Sequence, residues 1–245
     1  MDFHRHSTAS EAAFTYPINY RRIASVSTSD RNSKMVTSFT DFSMEISDTV
    51  TGQLIDRLLG HTDTVNSVAF SVDGTQLVSA SSDMTVRLWD MEQVRTRGSP
   101  IRGHSGPVMG AAFSSCTRKI ASTSLDETIR IWDAGSGNEL MLLKQRIPNM
   151  GPISFCQEDS KLIFYEDSTL SIFDTETDGV VNIPTPENAG DVFAINWAPE
   201  GSLVVINSRD SVRVWNTESK TLVSERYFSN HRLHSFSSDG LRIAS

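Results

Sequence analysis

The sequence predicts an all-β chain assembled from one repeated four-stranded unit, and three observations carry that prediction. Two segments, Gly60–Asp90 and Gly103–Asp133, are near-copies that open on Gly-His and close on Trp-Asp. His61 and His104 are 43 residues apart, as are Trp89 and Trp132, so the unit has a fixed period. No segment places apolar residues at the i, i+3, i+4, i+7 spacing of an amphipathic helix.

Each element follows from the residues of the first copy. Val65 to Phe70 forms a first strand, Asp73-Gly74 a turn, Leu77 to Ser81 a second strand, Asp83 a further turn, and Thr85 to Trp89 a third strand. The runs are short, rich in β-branched and aromatic residues, and cut by turn formers. Gln93 to Ile101 supplies the fourth strand before the next Gly-His. Four antiparallel strands per period make one blade of a β-propeller.

With Gly-His and Trp-Asp at the ends of a 43-residue period, the chain resembles the WD-repeat family. Gly98 to His104 and Trp132 to Gly137 look like the repeat arrays of fungal proteins that join a nucleotide-binding NACHT domain to WD repeats. That likeness implies a recognition role, which here would need a NACHT portion outside these residues or an independent protein.

The phase extends beyond the two strong copies. Phe173, in Ile172-Phe173-Asp174, lies 41 residues after Trp132, and Trp215 lies 42 after Phe173. Backwards, Glu45 to Asp48 sits where Arg87 to Asp90 would, with Ser47 replacing the tryptophan. Ser10 to Phe14 matches Met109 to Phe113, which starts blade one almost at Met1. Phe236 to Ser245 aligns with Phe113 to Ser122 and stops inside a second strand. The count is five recognisable repeats plus a partial sixth, with blades at about 6–58, 59–102, 103–145, 146–187 and 188–225 and the partial one at 226–245. An unfinished blade leaves an unpaired strand edge. It reads as a fragment or truncated gene model, as a five-bladed ring with a tail, or as a ring whose missing strands come from a partner.

A formal charge of −8 and a pI near 5.2 argue against nonspecific binding to nucleic acid or anionic membranes, which needs clustered Lys and Arg. The one basic cluster, Arg95 to Arg102, is diluted by Glu92 and neutral residues and reads as a solvated edge. The first six residues lack a signal-peptide core, and no run approaches the ~20 apolar residues of a membrane span. The expected location is intracellular, in the cytoplasm with the nucleus left open. Cys116 and Cys156 fall in different blades and make no disulfide framework, so both are expected to be reduced. Ser/Thr-rich stretches from Ser25 to Ser43 read as polar turns.

The chemistry-bearing set in each strong copy is His61, Ser79 or Ser81 (assigned to Ser81), Asp83 and Trp89, then His104, Ser122 or Ser124 (assigned to Ser124), Asp126 and Trp132. Ser, His and Asp together invite a hydrolase reading, since an imidazole oriented by a carboxylate deprotonates a hydroxyl. The WD-repeat resemblance implies instead a hydrogen-bonded brace that pins a loop to the sheet, and repetition in two blades favours a brace over an active site. No catalytic residue is therefore assigned. Blades one, four and five lack the set, and are expected to be looser. Gln145-Arg146 and Asn188-Ala189 stand near the Gly-His positions of blades four and five, while Asp167 and Asp210 precede Phe173 and Trp215. His4-x-His6 and His231-x-x-His234 lack further ligands, no phosphate-binding glycine loop occurs, and no metal or cofactor is expected.

The resemblance also implies that partners dock on the upper face, built from residues entering the first strand and the residue before the turn aspartate. Mapped by the strand phenylalanine, these are Thr64, Asn66 and Ser82 in blade two, Pro107, Met109 and Leu125 in blade three, and Asp191, Phe193 and Arg209 in blade five. Blade four offers Asn149, Gly151 and Glu166. Met109, Leu125, Phe193 and Arg209 have the chemistry of interface centres; Met109 and Phe193 face the opposing reading that they tuck into the blade. The expected function is a noncatalytic scaffold for protein or peptide partners, with no nucleic acid, membrane or small-molecule substrate. The alternatives are a propeller enzyme or ligand binder using the central channel, and a nonfunctional truncated fragment.

Overall fold

A computed structural model describes residues 22–29, 31–144, 151–156, 158–166, 169–185, 192–197, 202–208, 211–227, 235–236 and 243–244. It is all-β: five antiparallel sheets follow one another as the blades of a propeller, and the described residues contain no helix. Blade one is β1 (Ile23–Ser29), β2 (Lys34–Phe39), β3 (Met44–Asp48) and β4 (Leu54–Leu58), paired in that order. Blade two is β5 (Val65–Phe70), β6 (Gln76–Ser81) and β7 (Thr85–Asp90), with its fourth position shared by β8 (Arg95–Thr96) and β9 (Ile101–Arg102), both on β7. Blade three is β10 (Val108–Phe113), β11 (Lys119–Ser124), β12 (Thr128–Asp133) and β13 (Glu139–Lys144).

Blade four is β14 (Ile153–Phe155), β15 (Lys161–Glu166), β16 (Thr169–Asp174) and β17 (Val180–Pro184). Blade five is β18 (Val192–Trp197), β19 (Leu203–Ser208), β20 (Ser211–Asn216) and β21 (Thr221–Tyr227). A two-stranded hairpin follows, β22 (Ser235–Phe236) with β23 (Ile243–Ala244), where the sequence places the start of a sixth repeat.

Blade one corrects the sequence reading. Its first strand is Ile23–Ser29, not Ser10 to Phe14, which lies outside the described residues. The Ser/Thr-rich stretch taken for turns forms β1 and β2. The serines are explained by the neighbouring blade: Ser25 Oγ accepts the Val68 amide at 3.2 Å and Ser27 Oγ accepts the Phe70 amide at 3.1 Å. Ser67 Oγ does the same for Ala111 at 3.4 Å. First-strand hydroxyls thus satisfy inner-edge N–H groups that no strand pairs, which a buried backbone requires.

The blades are joined by apolar clusters. Val78, Val86 and Leu88 of blade two pack with Val108, Phe113 and Trp132 of blade three, and corresponding clusters join blades one to two, three to four and four to five. Turns are closed by side chains. The residue after the tryptophan position caps the third hairpin: Asp48, Asp90, Asp133, Asp174 and Asn216 each accept amides two or three residues on, at 2.7–3.0 Å. Gly74 must be glycine: its φ is +72°, and a Cβ there would lie 2.4 Å from Ser29 Oγ of the preceding blade.

One irregularity recurs. The ladder between first and second strands skips a residue after Val65, after Val108 and after Val192, so Asn66, Met109 and Phe193 have no partner across the strand pair. In blade one Ala24 is skipped in the same way. A bulge of this kind bends the strand and re-aims the extra side chain.

Candidate functional site

Two constellations stand out, a buried network in each of blades two and three and a polar and apolar cluster on the face above them. In blade three, β11 and β12 hold Ser122 and Trp132, while the loop before β10 supplies His104. Trp132 Nε1 donates to Ser122 Oγ at 2.8 Å, Ser122 Oγ lies 2.8 Å from His104 Nε2, and His104 Nδ1 lies 3.0 Å from Asp126 Oδ2. Blade two repeats it: Trp89 to Ser79 at 2.8 Å, Ser79 to His61 at 2.7 Å, and His61 to Asp83 at 2.7 Å. In blade three, where burial lowers His104, the neutral imidazole fits the distances: the indole N–H occupies one lone pair of Ser122, the serine hydroxyl donates to Nε2, and Nδ1–H donates to Asp126.

The serine is therefore Ser79 and Ser122, not Ser81 and Ser124. Both members of each pair lie on one face of the strand, since side chains alternate, and sequence spacing does not choose between them. Ser81 Oγ instead donates to the Asp63 carbonyl at 3.0 Å and accepts the Asp83 amide at 3.1 Å. Ser124 makes the same pair of bonds with Gly106 and Asp126. Both serines of each blade are fully used in holding the loop.

The carboxylates are strongly acidic. Burial opposes the charge on Asp126, but hydrogen bonds from Thr128, the Ser105 amide and His104 outweigh it and bring the group down to about 2. Asp83 is lowered further, against the same burial, by bonds from His61, Thr85 and the Thr62 amide. Burial also lowers His104, in part offset by Asp126. Thr85 and Thr128, which each donate to the aspartate at 2.6 Å, are members that the sequence reading missed. Their signal was present as Asp-x-Thr in both copies. Asp41 is a further omission: it accepts the Ser43 amide and hydroxyl at 3.2 and 2.6 Å, making Asp41-x-Ser43 the blade-one counterpart.

Glycine precedes the histidine because the tryptophan closes over it. A Cβ on Gly103 would lie 2.8 Å from Trp132 Cη2 and 2.9 Å from Arg130 Nη1. Arg130 stacks 5.8 Å from the indole centroid and pairs with Glu139.

The weaker blades fill this space otherwise. In blade four, expected to be looser, Phe164 stands at the serine position and Phe173 at the tryptophan position, and both are buried. In blade five Ile206 takes the serine position, and the buried Trp215 Nε1 has no acceptor among the described residues. Asp167 and Asp210 lie outside the described residues.

On the face above, the structure brings together Asn66, Ser82 and Met109. Asn66 Nδ2 donates to Ser82 Oγ at 3.0 Å and to the Val108 carbonyl at 2.9 Å, and lies 3.7 Å from Met109 Sδ. Thr64 and Pro107 are half-buried, and their carbonyls accept the amides of Ser82 and Leu125 at 2.9 Å. Leu125 is 42% exposed. Met84, which the sequence reading did not single out, is 45% exposed at φ 66°, and Phe42 holds the matching position in blade one at φ 72° and 40% exposure. Gly151 is held differently, its carbonyl accepting Thr123 Oγ1 at 2.8 Å. Asp191, Arg209, Asn149 and the side chains of Phe193 and Glu166 lie outside the described residues.

The described residues include no group of three or more His, Cys, Asp or Glu that could hold a metal, and the His4/His6 and His231/His234 pairs fall outside them. Cys116 is exposed and Cys156 buried, both as free thiols.

Comparison with known proteins agrees with this architecture. The profile of the WD domain, G-beta repeat family matches residues 52–90 and 92–133. The chain is 40% identical over 65 residues to the periodic tryptophan protein 2 homolog of Neurospora crassa, a match covering 26% of this chain and 7% of that protein. It is 38% identical over 85 residues to ribosome assembly protein 4 of Saccharomyces cerevisiae, covering 34% and 16%. It is 39% identical over 51 residues to the yeast U3 small nucleolar RNA-associated protein 21, covering 21% and 5%. Each match thus spans a small part of the relative's length. Blades two and three thus carry WD repeats, and three further blades of the propeller are built in the same strand order.

Proposed function

We propose that the chain is a noncatalytic scaffold that holds a protein or peptide partner on its upper face, centred on the junction of blades two and three. The observation that carries this reading is the bulge. Asn66 and Met109 are the unpaired residues of their first strands, and Asn66 is fixed by one hydrogen bond within blade two, to Ser82, and one across the junction, to the Val108 carbonyl, while Met109 is half-exposed and Leu125 exposed. A rigid frame carrying apolar tips loses little freedom on binding. Phe193 holds the same bulge position in blade five and is assigned the same role; Asp191 and Arg209 are proposed with it from the sequence alone.

A hydrolase reading is disfavoured because Ser79 and Ser122 are buried, repeat in two blades and are held by an indole N–H, which a nucleophile does not need. The central-channel reading is disfavoured because first-strand hydroxyls are committed to neighbouring amides. Two of the relatives are named for ribosome assembly and for association with U3 small nucleolar RNA. A partner within an intracellular ribonucleoprotein assembly fits those names. Contact through protein is favoured by the acidic charge of −8.

The test is affinity capture by the chain beside Met109→Glu and Leu125→Glu. The expected result is a stoichiometric protein recovered by the wild type and lost from both variants at unchanged melting temperature. Equal recovery by all three chains removes the proposal.

A further inference from the structure

At the opposite end of the same two blades lies a second feature. Turns of blade three and residues of blade two line an open notch of about 250 Å³, with Gln76 of β6 and Arg97 on one side and Thr117, Arg118 and Asp133 on the other. The two guanidinium groups thus come from different blades. Arg97 follows β8 at the break in the fourth strand, and its Nη1 donates to Gln76 Oε1 at 2.8 Å. That bond holds the guanidinium fork in place and leaves its remaining N–H groups for another acceptor.

The two nearby carboxylates are each oriented by their own turns. Asp133 Oδ1 accepts the Ser136 amide and hydroxyl, both at 2.7 Å, within its own turn. Asp90, whose charge is felt by Arg97, caps its hairpin through the Glu92 and Gln93 amides at 2.9 Å. Neither carboxylate makes an ion pair with Arg97 or Arg118. The basic stretch that sequence alone assigns to a solvated edge therefore contributes an oriented guanidinium to a concave site.

We propose that this notch is an oxyanion-binding site that takes the carboxylate or phosphate group of an acidic peptide side chain, clamped between Arg97 and Arg118. A planar guanidinium matches two oxygens of either anion, and one guanidinium on each wall selects an anion that fits between the blades. The site is independent of the upper face: it uses none of the same residues, and its ligand would tie blade two to blade three from below.

The experiment follows the arginine Nε–Hε resonances of the whole chain by NMR during titration with two blocked tripeptides, one with a central phosphoserine and one with a central glutamate, against sodium chloride at matched ionic strength. The expected result is saturable shifts of Arg97 and Arg118 with at least one peptide. Arg118→Ala should weaken binding by about tenfold or more, as expected for loss of one charge-assisted pair. Gln76→Leu, which keeps both charges and removes the group that orients Arg97, should weaken it several-fold. The stronger peptide identifies the anion class. Shifts that track the chloride control, or that survive Arg118→Ala unchanged, overturn the proposal. Amide spectra of each variant establish that the fold is retained.

Discussion

Asn66 and Met109, each the unpaired residue of a bulge in adjacent blades, meet across the blade junction, with Asn66 Nδ2 3.7 Å from Met109 Sδ and 2.9 Å from the carbonyl of Val108. The asparagine side chain thereby braces the junction, whereas the Leu125 side chain is exposed. Asn66→Ala removes two hydrogen bonds at about 0.5–1.5 kcal/mol each, so urea denaturation should show a loss of about 1–3 kcal/mol. Leu125→Ala, at an exposed turn, should stay within about 0.5 kcal/mol of the wild type.

Ser122→Ala should cost about 2–4 kcal/mol, because it leaves the Trp132 indole N–H and His104 Nε2 buried without partners. The two effects share one oxygen. A double-mutant cycle with Trp132→Phe should therefore show strong coupling, read from denaturation midpoints. Additive losses would mean that the serine and indole do not bond.

Trp215→Phe should cost less than Trp132→Phe. Both remove an N–H, but that of Trp215 has no acceptor among the described residues, whereas that of Trp132 bonds Ser122. Thermal melts of the two variants check the order, and the reverse order would show that blade five has an acceptor for its indole.

Acid should weaken the fold in two windows. His104 is lowered in the folded state, so the unfolded chain takes up that proton first and stability declines as the pH falls below about 6.5. Asp126, held at about 2, contributes fully above about pH 4 and loses its contribution as the pH falls toward 2. Urea unfolding at about pH 7.5, 5 and 3 checks both. Asp126→Asn should be less stable at neutral pH and should flatten the lower window.

Gly103→Ala should destabilise by about 1–3 kcal/mol through overpacking, since the new methyl would press on the Trp132 ring and the Arg130 guanidinium. Trp132→Phe in the same chain should recover part of that loss, measured by the same denaturation series.

Legibility varied with how much local chemistry each segment retains. Blades two and three were readable because His, Asp and Trp must recur at fixed spacing for the network to close. Blade one was misplaced because Ser25 and Ser27 look like turn residues, while their role depends on amides 43 residues away in the next blade. The choice between Ser79 and Ser81 was closed to sequence for a simpler reason: residues two apart in a strand share a face, and only the reach of the Trp89 ring distinguishes them. Met84 escaped notice because exposure at a left-handed turn position leaves no periodic signal. The candidate face was legible in outline, through the residues entering the first strand, but the bulge that gives those positions their shared character appears only in the register.

The most direct measurement places a photo-crosslinking amino acid at Met109, at Leu125 and, as a control at the opposite end of the blades, at exposed Val72. The chain is then irradiated with its captured partner. The account predicts a protein adduct from Met109 and Leu125 and none from Val72; an adduct from Val72 alone, or equal adducts from all three, would contradict the upper face as the docking surface.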